Sequence, residues 1–540
     1  MTEIISSVLQ NLPFSTKIAS VALRYPAPTC ISVLTLSIWV AHRYIKSPWH
    51  KVPPGPIGLP IIGSALKFFD TFWLIKECPQ YGDLVYLNVA GQPVVILNTQ
   101  RVAVDLLERR AATNSGRPRL IVASELMCDD MLVGLESDTE RWRRQRRAVH
   151  EGFTKSAVKR FHPALVEDAI RLAVSLSQDS SSFRQHYQHF ACSTVLAVTY
   201  DRPLHGKPGD DALRVHIDTI VRKLVAAASP GAHLVELMPW MLRLPSWMAK
   251  WKRDALDAHH DAKQFFVGLL DEVDARDKQG MARPCLTSML LQDLKRSHLT
   301  KLEAAWASGM MYSGGAETTT VTLTWWTLAM IAFPGAQRRA QSELDAVVGR
   351  GRLPSFADRE HLPYTVALLR EVLRWRMSLP LALPHSSNED AWYEGMFIPK
   401  GTILLANLLP CNRDSAVYGN DADLFRPERH LDSEHGQLAP VHPATKNHGH
   451  VSFGFGRRNC VGQHVAEDTL FIAAATLLWA FEFSKARDEM GRERDIDTEG
   501  FDASGFTLRA NHYDCSITPR FPEATSILTD EKELAATSRP

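Results

Sequence analysis

Between Lys301 and Phe333 the chain reads KLEAAWASGMMYSGGAETTTVTLTWWTLAMIAF, closed by Pro334 and Gly335, and Glu317 is the only charge between Glu303 and Arg338. As one helix this stretch extends about 50 Å. A segment so long and apolar must be wrapped either by lipid or by the rest of the protein. Length permits a second transmembrane span. Against lipid, however, Gly314 and Gly315, the threonines at 318, 319, 320, 322 and 324 and a carboxylate at the centre are all costly, whereas they suit a buried site. The stretch is therefore expected to be a central buried helix.

Most of the remaining chain reads as helices, and YGDLVYLNVAGQPVVILNT (81–99) reads as a β-hairpin around a Gly-Gln-Pro turn. The expected class is mainly α with small β-sheets. The 540 residues, 45% of them hydrophobic, are ample for a large core. Lysine plus arginine (61) nearly cancels aspartate plus glutamate (60), so the net field gives no reason to expect nucleic acid as a partner. Cysteines at 30, 78, 128, 192, 285, 411, 460 and 515 form no C-x-x-C pair and suggest a reducing compartment. There is no N-x-S/T glycosylation acceptor, which agrees with a cytosol-facing chain.

APTCISVLTLSIWVA (27–41) is uncharged and is followed by the basic flank HRYIKSPWHK. This predicts a single N-terminal membrane anchor with its positive side in the cytosol. Fifteen residues span roughly 22 Å, short of the roughly 30 Å hydrocarbon core, so the anchor borrows from TKIASVALRYP or lies partly in the interface. A cleaved signal peptide is the rival, but the apolar stretch begins late and lacks a small-x-small cleavage site. KVPPGPIGLPIIGS (51–64) is too proline-rich for helix or central strand and reads as a stiff connector. The expected organisation is anchor and flank 1–47, connector 48–64, a main domain 65–522 and a polar tail 523–540. HLVELMPWMLRLPSWMAKWK (233–252) is either ordinary core or a segment that dips into the bilayer interface.

The chemistry concentrates in FGFGRRNCVG (453–462), where Phe453, Gly456, Arg458, Cys460 and Gly462 fit the pattern F-x-x-G-x-R-x-C-x-G. A chance hit in this length is on the order of one in ten thousand. The glycines allow backbone to approach a flat ligand, and N–H groups around Cys460, with the start of the following helix, can hold its sulfur as thiolate. Such a thiolate is a good axial ligand for haem iron.

On these residues the chain resembles the cytochrome P-450 family of haem-thiolate monooxygenases, microsomal type, over roughly residues 50–520. HSSNEDAWYEGMFIPKGT and CVGQHVAEDTLF are most similar to fungal members, many of which tailor secondary metabolites. The resemblance implies a helix-rich haem domain, haem b (iron protoporphyrin IX) with Cys460 as axial ligand, and a lipophilic substrate oxidised with O2. Its electrons would come from NADPH through a separate membrane-bound flavoprotein reductase, with a cytochrome b-type protein as a further donor, at the cytosolic face of the endoplasmic reticulum. In GGAETT (314–319), Glu317 and Thr318 take the family's proton-relay roles beside an expected helix distortion. Trp142 and Arg146 of ERWRRQRR, His385 of LPHSS, and Arg458 match contacts to the haem propionates. Arg143, Arg144, Arg147 and Arg457 would then face an acidic reductase. Glu371 and Arg374, with Arg429 of FRPERH, match a structural network on the proximal side. The implied pocket walls are the loop 117–135, the segment 230–250, Met310 and Met311, Leu381 to Leu383, and the turn at Gly505 and Phe506.

Two departures bear on packing: Leu409 replaces a frequent tryptophan, and His430 stands where an aromatic is frequent. A zinc site built from His442, His448, His450, Cys460 and His464 is the main non-redox alternative, but it leaves the glycines, Arg458, Trp142, Glu317 and Thr318 unexplained. No nucleophile signature of a cysteine hydrolase is present, and a membrane scaffold would give the thiolate setting no purpose. Family members that isomerise or dehydrate peroxides without external oxygen tend to lack the acid and threonine pair, so Glu317 and Thr318 favour monooxygenation.

Overall fold

The long apolar stretch forms one helix, Lys301–Ala332. Thr300 caps it, accepting from the Glu303 N–H at 3.1 Å while the Glu303 carboxylate accepts from the Thr300 N–H at 2.7 Å. At the other end Pro334 opens the next helix, where its missing N–H costs nothing. The computed structural model describes Thr35, Trp39, His42, Lys46 and residues 47–537 apart from 230, 446, 447 and 504.

Among the described residues, ten helices have thirteen residues or more: α1 (Glu140–Gly152), α2 (His162–Gln178), α3 (Phe183–Tyr200), α4 (Asp210–Ala228), α5 (Lys250–Lys278), α6 (Lys301–Ala332), α7 (Pro334–Val347), α8 (Pro363–Trp375), α9 (Gln463–Ala480) and α10 (Ala524–Thr537). The strands are short: β1 (Leu84–Val89), β2 (Gln92–Leu97), β3 (His385–Ser386), β4 (Ala391–Tyr393), β5 (Met396–Ile398), β6 (Ile403–Ala406), β7 (Phe481–Lys485), β8 (Phe501–Asp502), β9 (Arg509–Ala510) and β10 (Cys515–Pro519). One four-stranded sheet has the order β1-β2-β6-β3, and the others are the pairs β4-β5, β7-β10 and β8-β9. The predicted hairpin is present, with Leu84 opposite Leu97. Its turn lies one residue earlier than expected, at Ala90 (φ 49°) and Gly91 (φ 93°), the left-handed pair that matches strand twist.

The chain divides into two compact units, residues 1–53 with 390–399, and residues 54–389 with 400–540. In the first, β4 and β5 form a hairpin and Trp49 meets Phe397 edge-on at 6.2 Å. The predicted anchor at 27–41 lies outside the described residues except for Thr35 and Trp39. Among the described residues no helix is long and apolar enough to cross a membrane.

The second unit is organised around α6. Trp306, Trp325 and Trp326 are fully buried along it, and Trp326 meets Phe483 of β7 edge-on at 5.1 Å. The expected distortion at Gly314 and Gly315 is not seen: the helix runs through unbroken. Close packing explains Gly315, since a Cβ there would lie 2.7 Å from Val195 of α3. The threonine hydroxyls along α6 instead turn back on the helix. Those of Thr318, Thr320, Thr322 and Thr324 each donate to the carbonyl four residues earlier.

Two further expectations change. From Pro54 onward the proline-rich segment packs along β1, with the Tyr86 N–H donating to Pro54 O at 2.8 Å, and a Cβ at Gly55 would lie 2.0 Å from Tyr86 O. The expected C-terminal tail forms α10, with Ala524 and Leu528 buried. The 233–252 segment is not core, because Leu234, Trp240 and Trp247 are 64%, 61% and 76% exposed. It adjoins a second exposed apolar group: a Cβ at Gly231 would lie 3.5 Å from the Phe69 ring, and Ile57, Ile61, Leu66 and Phe72 are exposed nearby in the chain.

Candidate haem-thiolate centre

The loop before α9 is shaped by its glycines. Gly456 has φ +57° and a Cβ on it would lie 2.1 Å from Leu107 O, so glycine is required twice over. The Cys460 N–H donates to Phe453 O at 2.8 Å, closing the loop on itself. Gly462, just before α9, would bring a Cβ within 4.0 Å of Cys460 Sγ. Among the seven described cysteines Cys460 alone is exposed, and five are buried. The protein packed behind its sulfur still desolvates it and pushes its pKa up, against smaller opposing effects from the Gly462 N–H and Arg146. The backbone donors therefore do not make a thiolate unaided; a metal cation facing Sγ would.

Behind this loop three guanidinium groups converge. Arg458 stacks over the Trp142 ring at 3.7 Å and donates through Nε to Ser115 O at 2.9 Å. Arg146, from α1, donates to Asn459 O. Arg117, which the motif reading did not single out, donates to Gly134 O (3.0 Å), Leu383 O (2.8 Å) and Pro384 O (2.6 Å). Burial first, and then Arg458 and Arg146, pull the Arg117 pKa well down. Arg458 is brought down to about 9, chiefly by burial, and remains a cation near neutrality. Its Nη2 is buried without a hydrogen-bond partner. The set fits a ligand that carries two carboxylates at one edge.

Two expected donors play different parts here. Trp142 spends its indole N–H on Val133 O at 2.9 Å and contributes a stacking face. His385 directs Nδ1 at Asn114 O, 2.9 Å away. A carbonyl only accepts, so Nδ1 carries the proton. Burial, followed by Arg117, lowers the His385 pKa to about 3, so the ring is neutral and Nε2 is an acceptor. The arginines are the donors at this edge.

Arg117 also reaches the pocket wall. Gly134, whose carbonyl it holds, donates its N–H to Met310 Sδ at 2.9 Å, and a Cβ at Gly134 would lie 2.0 Å from Met310 Cε.

Glu371 and Arg374 of α8 are fully buried. Arg374 donates to both carboxylate oxygens, at 2.8 and 2.7 Å, Arg429 through Nε at 3.1 Å and the Arg426 N–H at 2.8 Å. His430 joins them at 3.0 Å, so the departure from the family pattern is filled by a polar partner. Burial raises the Glu371 pKa, and the hydrogen bonds from Arg374 and His430 outweigh it, holding it at about 2. Leu409 is simply buried.

Glu317 and Thr318 do not contact each other. Glu317 accepts from Thr507 Oγ1 at 2.7 Å and pairs with Arg509, and it lines a cavity of about 600 Å³ between α3, α4 and α6. The Thr318 hydroxyl donates to Gly314 O at 2.7 Å. Of the arginines expected to face a reductase, Arg143 and Arg457 both pair with Asp138 (2.8 and 3.3 Å), Arg144 pairs with Glu303 (3.2 Å), and Arg147 is exposed. The zinc reading finds no support: His448 is bound to Glu467 at 2.6 Å, and among the described residues no group of three could hold a metal ion.

The cytochrome P-450 family model matches residues 53–512. The chain belongs to the cytochrome P-450 family. It is similar to a cytochrome P-450 monooxygenase of Armillaria gallica, 47% identical over 509 residues that make up 93% of this chain and 97% of that one. Cytochrome P-450 monooxygenase 58 of Postia placenta is 40% identical over 496 residues, 91% of this chain and 94% of its own. Monooxygenase iboC of Amanita muscaria is 37% identical over 552 residues, 93% and 97%. This cytochrome P-450 is thus a monooxygenase and an oxidoreductase whose family carries haem. The residues present fit that group: the exposed Cys460 sulfur would ligate the iron, the glycine-shaped loop would let backbone lie close, and Arg117, Arg146 and Arg458 would hold the propionates.

Cys460→Ala is expected to abolish haem incorporation, read as loss of the Soret band in purified folded protein; retained haem with an unchanged carbonyl spectrum refutes the assignment. The Glu371 network makes an acid prediction. Since its folded pKa of about 2 lies below the ordinary 4.5, its contribution is complete above pH 4.5 and is lost as pH falls toward 2. Glu371→Gln should cost about 3 to 5 kcal/mol near neutrality and flatten the acid limb of a denaturation series. An acid limb as steep as the wild type's assigns the dependence to other groups.

Proposed function

We propose that this cytochrome P-450 oxidises a lipophilic small molecule, most simply by hydroxylation of a terpenoid-like skeleton in fungal secondary metabolism. The observation that carries the substrate class is the mostly apolar lining beside α6, from Met127, Leu132, Ile220, Phe266, Trp306 and Met310; the space they leave is about 20 Å³ and is also lined by Lys223 and Asp261, so a terpenoid-sized substrate enters only as these side chains move. The apolar members of this lining reward burial of hydrocarbon at about 25 cal/mol per Å². The relatives from Armillaria, Postia and Amanita support the fungal setting.

Thiolate-ligated haem supplies dioxygen activation and insertion of one oxygen atom. The chain's own residues supply protons. Glu317, facing the cavity of about 600 Å³ between α3, α4 and α6, exchanges protons with solvent, and Arg509 and Thr507 hold its carboxylate ready. The Thr318 hydroxyl, one residue on and about 100° round the helix, passes a proton toward the haem side when it leaves Gly314 O. In this reading electrons arrive from NADPH through a separate membrane-bound flavoprotein reductase, with a cytochrome b-type protein as a further donor, and Arg147 lies on the docking face.

The reading also places the protein at the endoplasmic reticulum membrane, facing the cytosol. Support comes from the exposed apolar surface of Leu234, Trp240, Trp247, Ile57, Ile61 and Phe69, which exceeds what scattered surface residues need.

The first experiment is the reduced, carbon-monoxide-bound spectrum of the membrane-expressed protein, followed by terpenoid turnover with reductase and NADPH. Thr318→Ala should consume NADPH at a comparable rate and yield several-fold less product per NADPH; unchanged coupling removes Thr318 from the relay. For the membrane surface, the full chain in vesicles containing brominated lipid should show quenched tryptophan emission, and replacing Trp240 and Trp247 by Phe should remove part of that quenching. Identical quenching in the double variant would place those side chains in water.

A further inference from the structure

Glu371 Oε2 accepts from Arg374 Nε at 2.8 Å and from His430 Nε2 at 3.0 Å. A carboxylate only accepts, so the His430 ring carries a proton on Nε2. The Nδ1–Cε1 edge of the ring faces Gly449, where a Cβ would lie 2.9 Å from Nδ1 and 3.0 Å from Cε1. Gly449 also has φ +76°, in the left-handed region. The backbone therefore comes up against the imidazole, and nothing larger than glycine fits between them.

Gly449 begins the segment that ends at Phe453, the residue whose carbonyl holds the Cys460 N–H. Two routes tie this segment to Glu371. In one, Arg374 Nη1 donates to Asn412 O at 2.8 Å, Asn412 Oδ1 accepts from the Val451 N–H at 2.9 Å, and Asn412 Nδ2 donates to Ser452 Oγ at 3.0 Å. In the other, His430 spans directly from the carboxylate to Gly449. The first route grips residues 451 and 452, and the second grips the start of the segment.

We propose that His430 is a positioning residue for the Cys460 loop: its Nε2–H anchors it on Glu371, its other edge seats Gly449, and together they set where Cys460 stands. A phenylalanine ring at 430 could fill the volume but could not donate to the carboxylate, whereas glutamine could donate. The role differs from bulk stability because it acts on the sulfur's position while the rest of the fold is intact.

The test uses the full-length, haem-loaded protein. Its readout is conversion of the red-shifted reduced carbonyl band to the band of protein without thiolate ligation, followed below the melting transition and alongside circular dichroism. His430→Phe should convert about tenfold faster, as expected for loss of one hydrogen bond to a charged group, with unchanged helical signal. His430→Gln should restore a rate near that of wild type. A Phe variant that yields no haem-loaded protein beside a Gln variant that does gives the same support. The proposal is overturned if His430→Phe converts at the wild-type rate, if His430→Gln fares as badly as His430→Phe, or if conversion appears only as the helical signal melts.

Discussion

The structure depends on one buried carboxylate. Glu371 has no water to solvate its charge, and five hydrogen bonds from Arg374, Arg429, His430 and the Arg426 backbone take the place of water. Removing any one partner leaves a buried charge short of donors, which is why such a network behaves as a unit. Through Asn412 it fixes Val451 and Ser452, and through these the loop that presents Cys460. The Cys460 loop is thus tied to a buried ionic network that does not touch the sulfur itself.

The opposite requirement governs the other edge of the centre. There burial lowers the pKa values of Arg117, Arg146 and Arg458, Arg458 and Arg146 add to the effect on Arg117, and Arg146 adds to that on Arg458, with Trp142 and backbone carbonyls as their contacts. One cluster is electrostatically complete within the chain. The other is complementary to a dianionic ligand edge, and its mutual repulsion is relieved when such a ligand arrives.

How much of this was legible in the sequence follows from how local each feature is. The Cys460 loop and α6 could be read because their signals are contiguous: fixed glycine spacing in one, a long uncharged run in the other. Arg117 had no such signal, being one arginine in an irregular loop, recognisable only when Gly134, Leu383 and Pro384 are brought to it. Glu317 was legible as a residue but not in its setting, because Thr507 and Arg509 lie some 190 positions away. His430 looked like a packing defect against the family pattern, and only three dimensions show that it faces an acid. Gly315 misled in a different way: read as a helix distortion, it serves the close approach of α3.

The contact between Gly134 and Met310 carries a consequence for how the pocket can diversify. Met310 forms part of the apolar wall, yet its thioether is seated on the Gly134 backbone, and the carbonyl of that same glycine is held by Arg117. A change of side chain at 310 therefore alters what Gly134 and, through its carbonyl, Arg117 rest on, and a side chain at 134 obliges the end of Met310 to move. If Arg117 holds a propionate, the wall at Met310 and the grip on the cofactor share one backbone support at Gly134.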